Sequence, residues 1–159
     1  MIESVTHEGA FSDVVWMTEL EVNICWRLTE QQPVGRVAFI HRGRPMVLPV
    51  NHVTDDRTIV FRTDRGSPLA DLVAREPVAF EVDAAAQDRQ TGWSVLILGE
   101  TERIDASAKR RIGAPGPQPW APGDRDEWIR IVPSEVTGRS ISRRRRRSDG
   151  TFLPYVPAD

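Results

Sequence analysis

Pro45-Met-Val-Leu-Pro-Val-Asn-His52, followed by Thr58-Ile-Val-Phe-Arg-Thr63 and Gly66-Ser67, reads as a strand, a tight turn, a second strand ending in Arg-Thr, and a helix start. That arrangement directs a guanidinium, two hydroxyls and free backbone N–H groups toward one small volume, which is what a phosphate needs. Proline cannot donate to a strand ladder, so Pro49 belongs at a sheet edge or a bulge, where backbone groups stay free to meet a ligand. Two readings of the basic residue stand side by side. Arg62 grips a phosphate as a bidentate fork, or it pairs with a surface carboxylate. Ser67 either caps a helix alone or also donates its hydroxyl to the same anion.

Outward from this stretch the signals are mainly β. Val34 to His41 is rich in strand formers, and Arg42-Gly43 suits a hairpin turn into the strand at Met46 to Val53. Asp55-Asp56-Arg57 turns the chain into Thr58 to Thr63, and a short helix follows from Ser67 to Ala74 with Pro68 at its first position. Val78, Phe80 and Val82 alternate with Ala79, Glu81 and Asp83, so that strand has one buried and one polar face. Trp93 to Ile104 is long enough to bend around a barrel. Gly113 to Gly123 is a Gly- and Pro-rich loop, and Trp128 to Val132 makes a sixth strand that can continue past Pro133 to Ile141. Six strands joined by short turns, with short flanking helices, predict a small antiparallel barrel.

Before these strands, Thr18-x-x-Glu21 has the form of a capping box. Leu20, Ile24, Cys25 and Leu28 make an apolar helical stripe that Pro33 ends. Residues 1–15 show no periodicity and are expected to be a flexible arm, residues 16–141 the folded domain, and residues 142–159 an arginine-rich tail.

The chain has 159 residues, 40% apolar content and a net charge of −2, which fits one soluble domain with a real core. No run of membrane-spanning length and no export signal is present, so a cytoplasmic protein is expected. The single Cys25 excludes an intramolecular disulfide and a cysteine-based metal site, and its apolar neighbours predict a buried, inert thiol. No metal-ligand cluster and no catalytic triad is visible, so no catalytic residue is assigned. Lys109 is the only lysine, and any anion site must therefore be built from arginine. His41 and His52 lie near the opening stretch and read as structural strand histidines, with His52 the better placed to act on a ligand. Trp16, Trp26, Trp120 and Trp128 read as core or interface residues.

Arg143 to Arg147 carries five positive charges and leaves about −7 on the remainder. Such a run could attract nucleic acid or anionic lipid. No aromatic residue interleaves the arginines as strand-stacking platforms require, so a solvated tail, or one pairing with acidic groups of its own domain, is expected instead.

Gly35-Arg-Val-Ala-Phe39, Arg44-Pro45, Pro49-Val-Asn51, Ile59-Val-Phe-Arg-Thr63, Gly66-Ser67, Val78-Ala-Phe-Glu-Val-Asp83, Gly92-Trp-Ser-Val95 and Pro119-Trp120 come in this order. Together they resemble the pyridoxamine 5′-phosphate oxidase-like family of flavin-binding split barrels, particularly the branch with the 5-nitroimidazole reductases. The likeness covers about residues 19 to 141. It implies a homodimer of six-stranded Greek-key split barrels with FMN at the subunit interface. The main chain of Pro49, Val50 and Asn51 would line the isoalloxazine ring, Arg62, Thr63 and Ser67 would hold the phosphate, and Trp93 and Ser94 would approach across the dimer. Relatives commonly carry Lys after the residue matching Ser67, where this chain has Pro68.

The function implied is an FMN-dependent oxidoreductase passing electrons from reduced nicotinamide to a small organic acceptor. Two alternatives keep the same barrel: a reductase using a deazaflavin coenzyme, and a non-catalytic protein that binds flavin or haem.

Overall fold

The computed structural model describes residues 2–8, 11–72, 74–86, 90–113 and 116–152. Eight antiparallel strands and two α-helices are found among them: β1 (Ile2–Glu8), β2 (Phe11–Glu19), α1 (Val22–Gln31), β3 (Val34–His41), β4 (Arg44–Asp55), β5 (Thr58–Thr63), β6 (Ala74–Ala86), β7 (Thr91–Arg103), α2 (Ala106–Ile112) and β8 (Glu127–Arg147). A single 3-10 turn, Pro68–Asp71, separates β5 from β6.

Strands β3, β4 and β5 form a meander, and β6 returns to lie beside β3. That order is a Greek key. β8 pairs with both β5 and β7, so the six strands β3 to β8 close on themselves into a ring. The two hairpin turns follow from backbone chemistry. Arg42 and Gly43 both have positive φ, as do Asp56 and Arg57, the paired left-handed geometry that matches strand twist.

The ring is filled by the alternating residues the sequence marks. Val37 and Phe39, Ile59 and Phe61, Val78, Phe80 and Val82, Val95 and Ile97, and Ile129 and Ile131 form one apolar cluster. On β6 the intervening Glu81 and Asp83 face outward and share Arg36 of β3. Gly35 matters here, because a Cβ at that position would collide with the Phe80 ring. Helix α1 closes one side of the cluster with Cys25, Trp26 and Thr29, and Cys25 is fully buried.

Five expectations are corrected. The helix expected from Ser67 to Ala74 is only the 3-10 turn Pro68–Asp71, and Ala74 already begins β6. The strand count is eight rather than six, because residues read as an arm form β1 and β2, with β2 pairing to the far half of β8 from Glu19↔Arg139 to Phe11↔Arg147. These strands lack alternating hydrophobicity, and ladder pairing supplies their order. The Thr18–Glu21 capping box is not used: Thr18 lies in β2 opposite Ser140, and α1 begins after Glu21 with no side-chain cap. The sixth strand does not stop at Ile141. Pro133 sits where β8 gains one residue against β7, between Gly99↔Pro133 and Leu98↔Glu135, a bulge that accommodates a residue without an N–H. The run Arg143 to Arg147 is therefore strand, with Arg143 and Arg145 both paired to Asp13 of β2. Residues 153–159 of the expected tail lie outside the described residues.

Candidate functional site

The site arises where two paired strands part. β4 pairs with β5 only from His52↔Phe61 to Asp55↔Thr58. Before His52, β4 is held by β3 alone, and beyond Phe61, β5 is held by β8 alone. Pro49, Val50 and Asn51 thus turn an unpaired edge toward Arg62 and Thr63. Pro49 lies in this edge segment, where its missing N–H breaks no bond to β5, as expected of it.

A cleft of about 190 Å³ fills the divergence and is lined by Pro49, Val50, Asn51, Arg62, Thr63 and Ser67, together with Leu48, Leu69, Pro119, Ala121 and Arg125. Six of the eight residues singled out from sequence meet there. Trp93 and Ser94 do not: both lie on β7, three strands from β4 in either direction around the ring. Trp93 packs against the core, and Ser94 is exposed. Pro68 starts the 3-10 turn and does not line the cleft.

Polar groups in the cleft are unevenly satisfied. Arg62 Nε donates to the main-chain oxygen of Arg125 at 2.7 Å, and its guanidinium lies 5.5 Å from the centre of the Trp128 ring. No carboxylate of the described residues pairs with it, so the surface-pair reading of Arg62 is not what the structure contains. Thr63 is fully buried, and its hydroxyl has no hydrogen-bond partner among the described residues. An orphaned buried hydroxyl costs about 1–3 kcal/mol unless something satisfies it. Ser67 Oγ accepts from Leu69 N at 3.2 Å, which leaves its hydrogen free to donate. These donors fit an anion.

The loop before β8 forms the cleft's other wall. Asn51 Nδ2 donates to Pro33 O at 3.1 Å, and Asn51 Oδ1 accepts from Trp120 N at 2.8 Å. The Asn51 side chain thereby ties the loop to the open edge of β4. Trp120 itself is 72% exposed, so in a single chain it is not a core residue. Arg65 pairs with Glu127 at 3.1 Å and does not line the cleft.

Sequence reading missed Arg125. It is 63 residues from Arg62 and sits in an aperiodic Gly-Asp-Arg-Asp segment. The one signal was Pro119-Trp120, whose place in the motif series marks the loop as returning to the site.

His52 does not line the cleft. It is buried, its Nε2 meets Thr29 O at 3.2 Å, and its ring stands edge-on to Phe80 with centroids 4.9 Å apart. Burial pushes its pKa below the usual value, only partly offset by the Thr29 carbonyl. Burial likewise raises the Cys25 thiol, consistent with an inert cysteine. Among the described residues, no group of three metal-ligating side chains occurs and no helix is long and apolar enough to cross a membrane.

An uncharacterized protein of Mycobacterium tuberculosis is 32% identical over 131 residues, covering 79% of this chain and 86% of that one. Among solved structures, an FAD-binding protein from Mycobacterium smegmatis matches with a TM-score of 0.61 and 26% identity, over 79% of this chain and 98% of that chain. A protein of Bacteroides thetaiotaomicron provisionally assigned to 5-nitroimidazole antibiotic resistance has the same fold, with a TM-score of 0.61 at 13% identity over 89% and 94% of the two chains. Residues 21–140 match the model of the pyridoxamine 5′-phosphate oxidase family, and with the Greek-key ring and its cleft in the same span, the chain belongs to that family.

Proposed function

We propose that the chain is a flavin-dependent oxidoreductase that holds FMN in the β4–β5 cleft, acts in the cytoplasm, and passes electrons from reduced nicotinamide to a small organic acceptor such as an aromatic, quinone or nitro compound. The observation that carries the reading is the buried Thr63 hydroxyl, unpartnered among the described residues, beside an Arg62 that none of their carboxylates pairs with, where β4 and β5 part. Family membership and the flavin bound by the M. smegmatis protein support it.

In this reading Arg62, Thr63 and Ser67 hold the phosphate by charge-assisted and hydroxyl hydrogen bonds. The unpaired edge of Pro49, Val50 and Asn51 offers backbone groups to the ring. When bound, FMN supplies the hydride and electron chemistry. The protein's part is position and exclusion of water, with Asn51 fastening the loop that walls the cleft. The chain acts as a homodimer. A cleft of about 190 Å³ is smaller than the ~300 Å³ at which drug-sized ligands are enclosed, so a second copy completes the wall and contributes Trp93 and Ser94.

Visible spectra of the purified protein, before and after incubation with FMN and removal of unbound flavin, test the cofactor. Two flavin bands that bleach with reduced nicotinamide are expected; a haem Soret band, or no binding of any flavin, rejects the reading. Arg62→Ala should weaken FMN by about 1.5–3 kcal/mol, roughly ten- to a hundredfold. Riboflavin lacks the phosphate and should bind almost unchanged. Equal losses for both ligands would show that Arg62 acts through folding.

A further inference from the structure

We propose that Arg125 is a second cation of the anion subsite, carried in by the loop before β8 and held in reserve on Asp64 until a phosphate monoester arrives. The inference rests on the reading of the cleft as a phosphate site.

Among the described residues, Arg125 is the only other basic side chain that lines the cleft. Its side chain is largely sheltered, at 22% exposure, yet its bonds are weak. Nε reaches Ala121 O at 3.4 Å, and Nη2 stands 3.6 Å from Asp64 Oδ2. Asp64 is 41% exposed, so water competes for it and the pair contributes little. Arg125 is therefore positioned by its loop more than by its ionic partner, and a more strongly charged acceptor can take the guanidinium over.

The loop is built to deliver it. Asn51 ties Trp120 N to β4. Gly123 adopts φ +118 while lying against Asp64, where a Cβ would be 3.4 Å from the carboxylate. The main-chain oxygen of Arg125 fixes Arg62 Nε. One residue thus aims the strand arginine with its backbone and presents its own guanidinium with its side chain. Pro68, beside the cleft-lining Ser67, offers neither charge nor N–H. A monoester phosphate carries close to two negative charges at neutral pH, and Arg62 with Arg125 matches them.

The test is titration of flavin-stripped full-length protein with FMN and with riboflavin, followed by fluorescence, for wild type, Arg125→Gln, Arg125→Lys and Asp64→Asn. Every substitution at 125 keeps the carbonyl that holds Arg62, so the two arginines are separable. Arg125→Gln should weaken FMN about ten- to a hundredfold and leave riboflavin within about twofold. Arg125→Lys should recover part of the loss, and Asp64→Asn, which frees the guanidinium and removes a nearby negative charge, should tighten FMN. Thermal unfolding without ligand identifies any variant that fails to fold, and Asp64→Asn then carries the test alone. If Arg125→Gln binds FMN like wild type while Arg62→Ala does not, the inference is overturned and the phosphate reading stands. Equal loss of FMN and riboflavin assigns Arg125 to holding the loop and also overturns it. If wild type itself binds both ligands equally, no phosphate subsite exists, and both readings fall together.

Discussion

Asn51 Oδ1 accepts the backbone N–H of Trp120 at 2.8 Å, across 69 residues of chain, while the same side chain donates to Pro33 O. One amide therefore joins the end of α1, the open edge of β4 and the loop that walls the cleft. Asn51→Ala removes both bonds. These are exposed, so the stability lost should be about 1 kcal/mol, within the usual range for such bonds. The larger effect is local: the Trp120 amide should exchange with solvent faster, and FMN and riboflavin should weaken by the same factor. Hydrogen exchange and the paired titrations measure this, and a phosphate-selective loss would contradict a purely positional role.

His52 links the core to pH. Its Nε2 faces a carbonyl and so carries the proton, which leaves Nδ1 a buried acceptor with no donor. Burial lowers its folded-state pKa below the unfolded value of about 6.5. The unfolded chain then binds the proton first as pH falls. The contribution of His52 is present above about pH 6.5 and is lost as pH drops through that value toward the folded pKa. His52→Gln keeps a donor for Thr29 O but does not titrate. Denaturant midpoints between pH 7.5 and 5 should fall more steeply in wild type than in the variant, and parallel curves would remove His52 as the cause.

At Gly138 the closeness of α1 to β8 is absolute. A Cβ there would stand 2.5 Å from Cys25 Sγ and 3.2 Å from Leu20 Cβ. Gly138→Ala should destabilise by about 1–3 kcal/mol, the cost of overpacking a filled core. Cys25→Ala in the same background should return part of the loss, because the two sites share one contact. Strict additivity in urea melts would show that the strain lies elsewhere.

The ring was legible because its strands announce themselves locally. Val78, Phe80 and Val82 are buried, and Glu81 and Asp83 meet Arg36 on the outside, a period of two that needs no tertiary information. The cleft was legible in two ways: Pro49 marks an edge and Arg62, Thr63 and Ser67 form a phosphate-like pattern locally, whereas Val50 and Asn51 were singled out by family resemblance. What sequence could not show depends on distant pairing. Around Asp13 the apolar residues Val14, Val15 and Trp16 run together without alternating, yet its carboxylate takes Arg143 and Arg145 once β2 pairs with β8. Thr18 has the form of a cap but is taken up by the ladder opposite Ser140. Arg125 reaches the cleft through long-range bonds, its loop held by Asn51 at Trp120 and by its own carbonyl on Arg62.

The last prediction concerns the second copy. An apolar groove of about 720 Å³ runs along the ring's outer surface, and Ile40, Val47, Leu98 and Val132 line it. Ile40 is 65% and Val47 59% exposed, in a chain whose inner face already has a full core. Exposed apolar surface of this kind marks an interaction site. The groove approaches the cleft along the outer face of β4, where exposed Val47 lines the groove and exposed Pro49, two residues on and on the same face, lines the cleft. A copy seated on the groove therefore reaches the cleft's open side, where a flavin ring needs its missing wall. A stable two-fold interface should bury well over about 1,000 Å². Light scattering at micromolar concentration should give twice the 17.9 kDa chain mass. Val47→Glu places a charge in the apolar face without touching the ring interior. It should shift the mass to a single chain and weaken FMN and riboflavin alike, because the wall is lost and the phosphate contacts are not. A wild-type mass of one chain would reject the dimer, and a monomeric Val47→Glu that binds flavin at full affinity would separate dimerisation from the site.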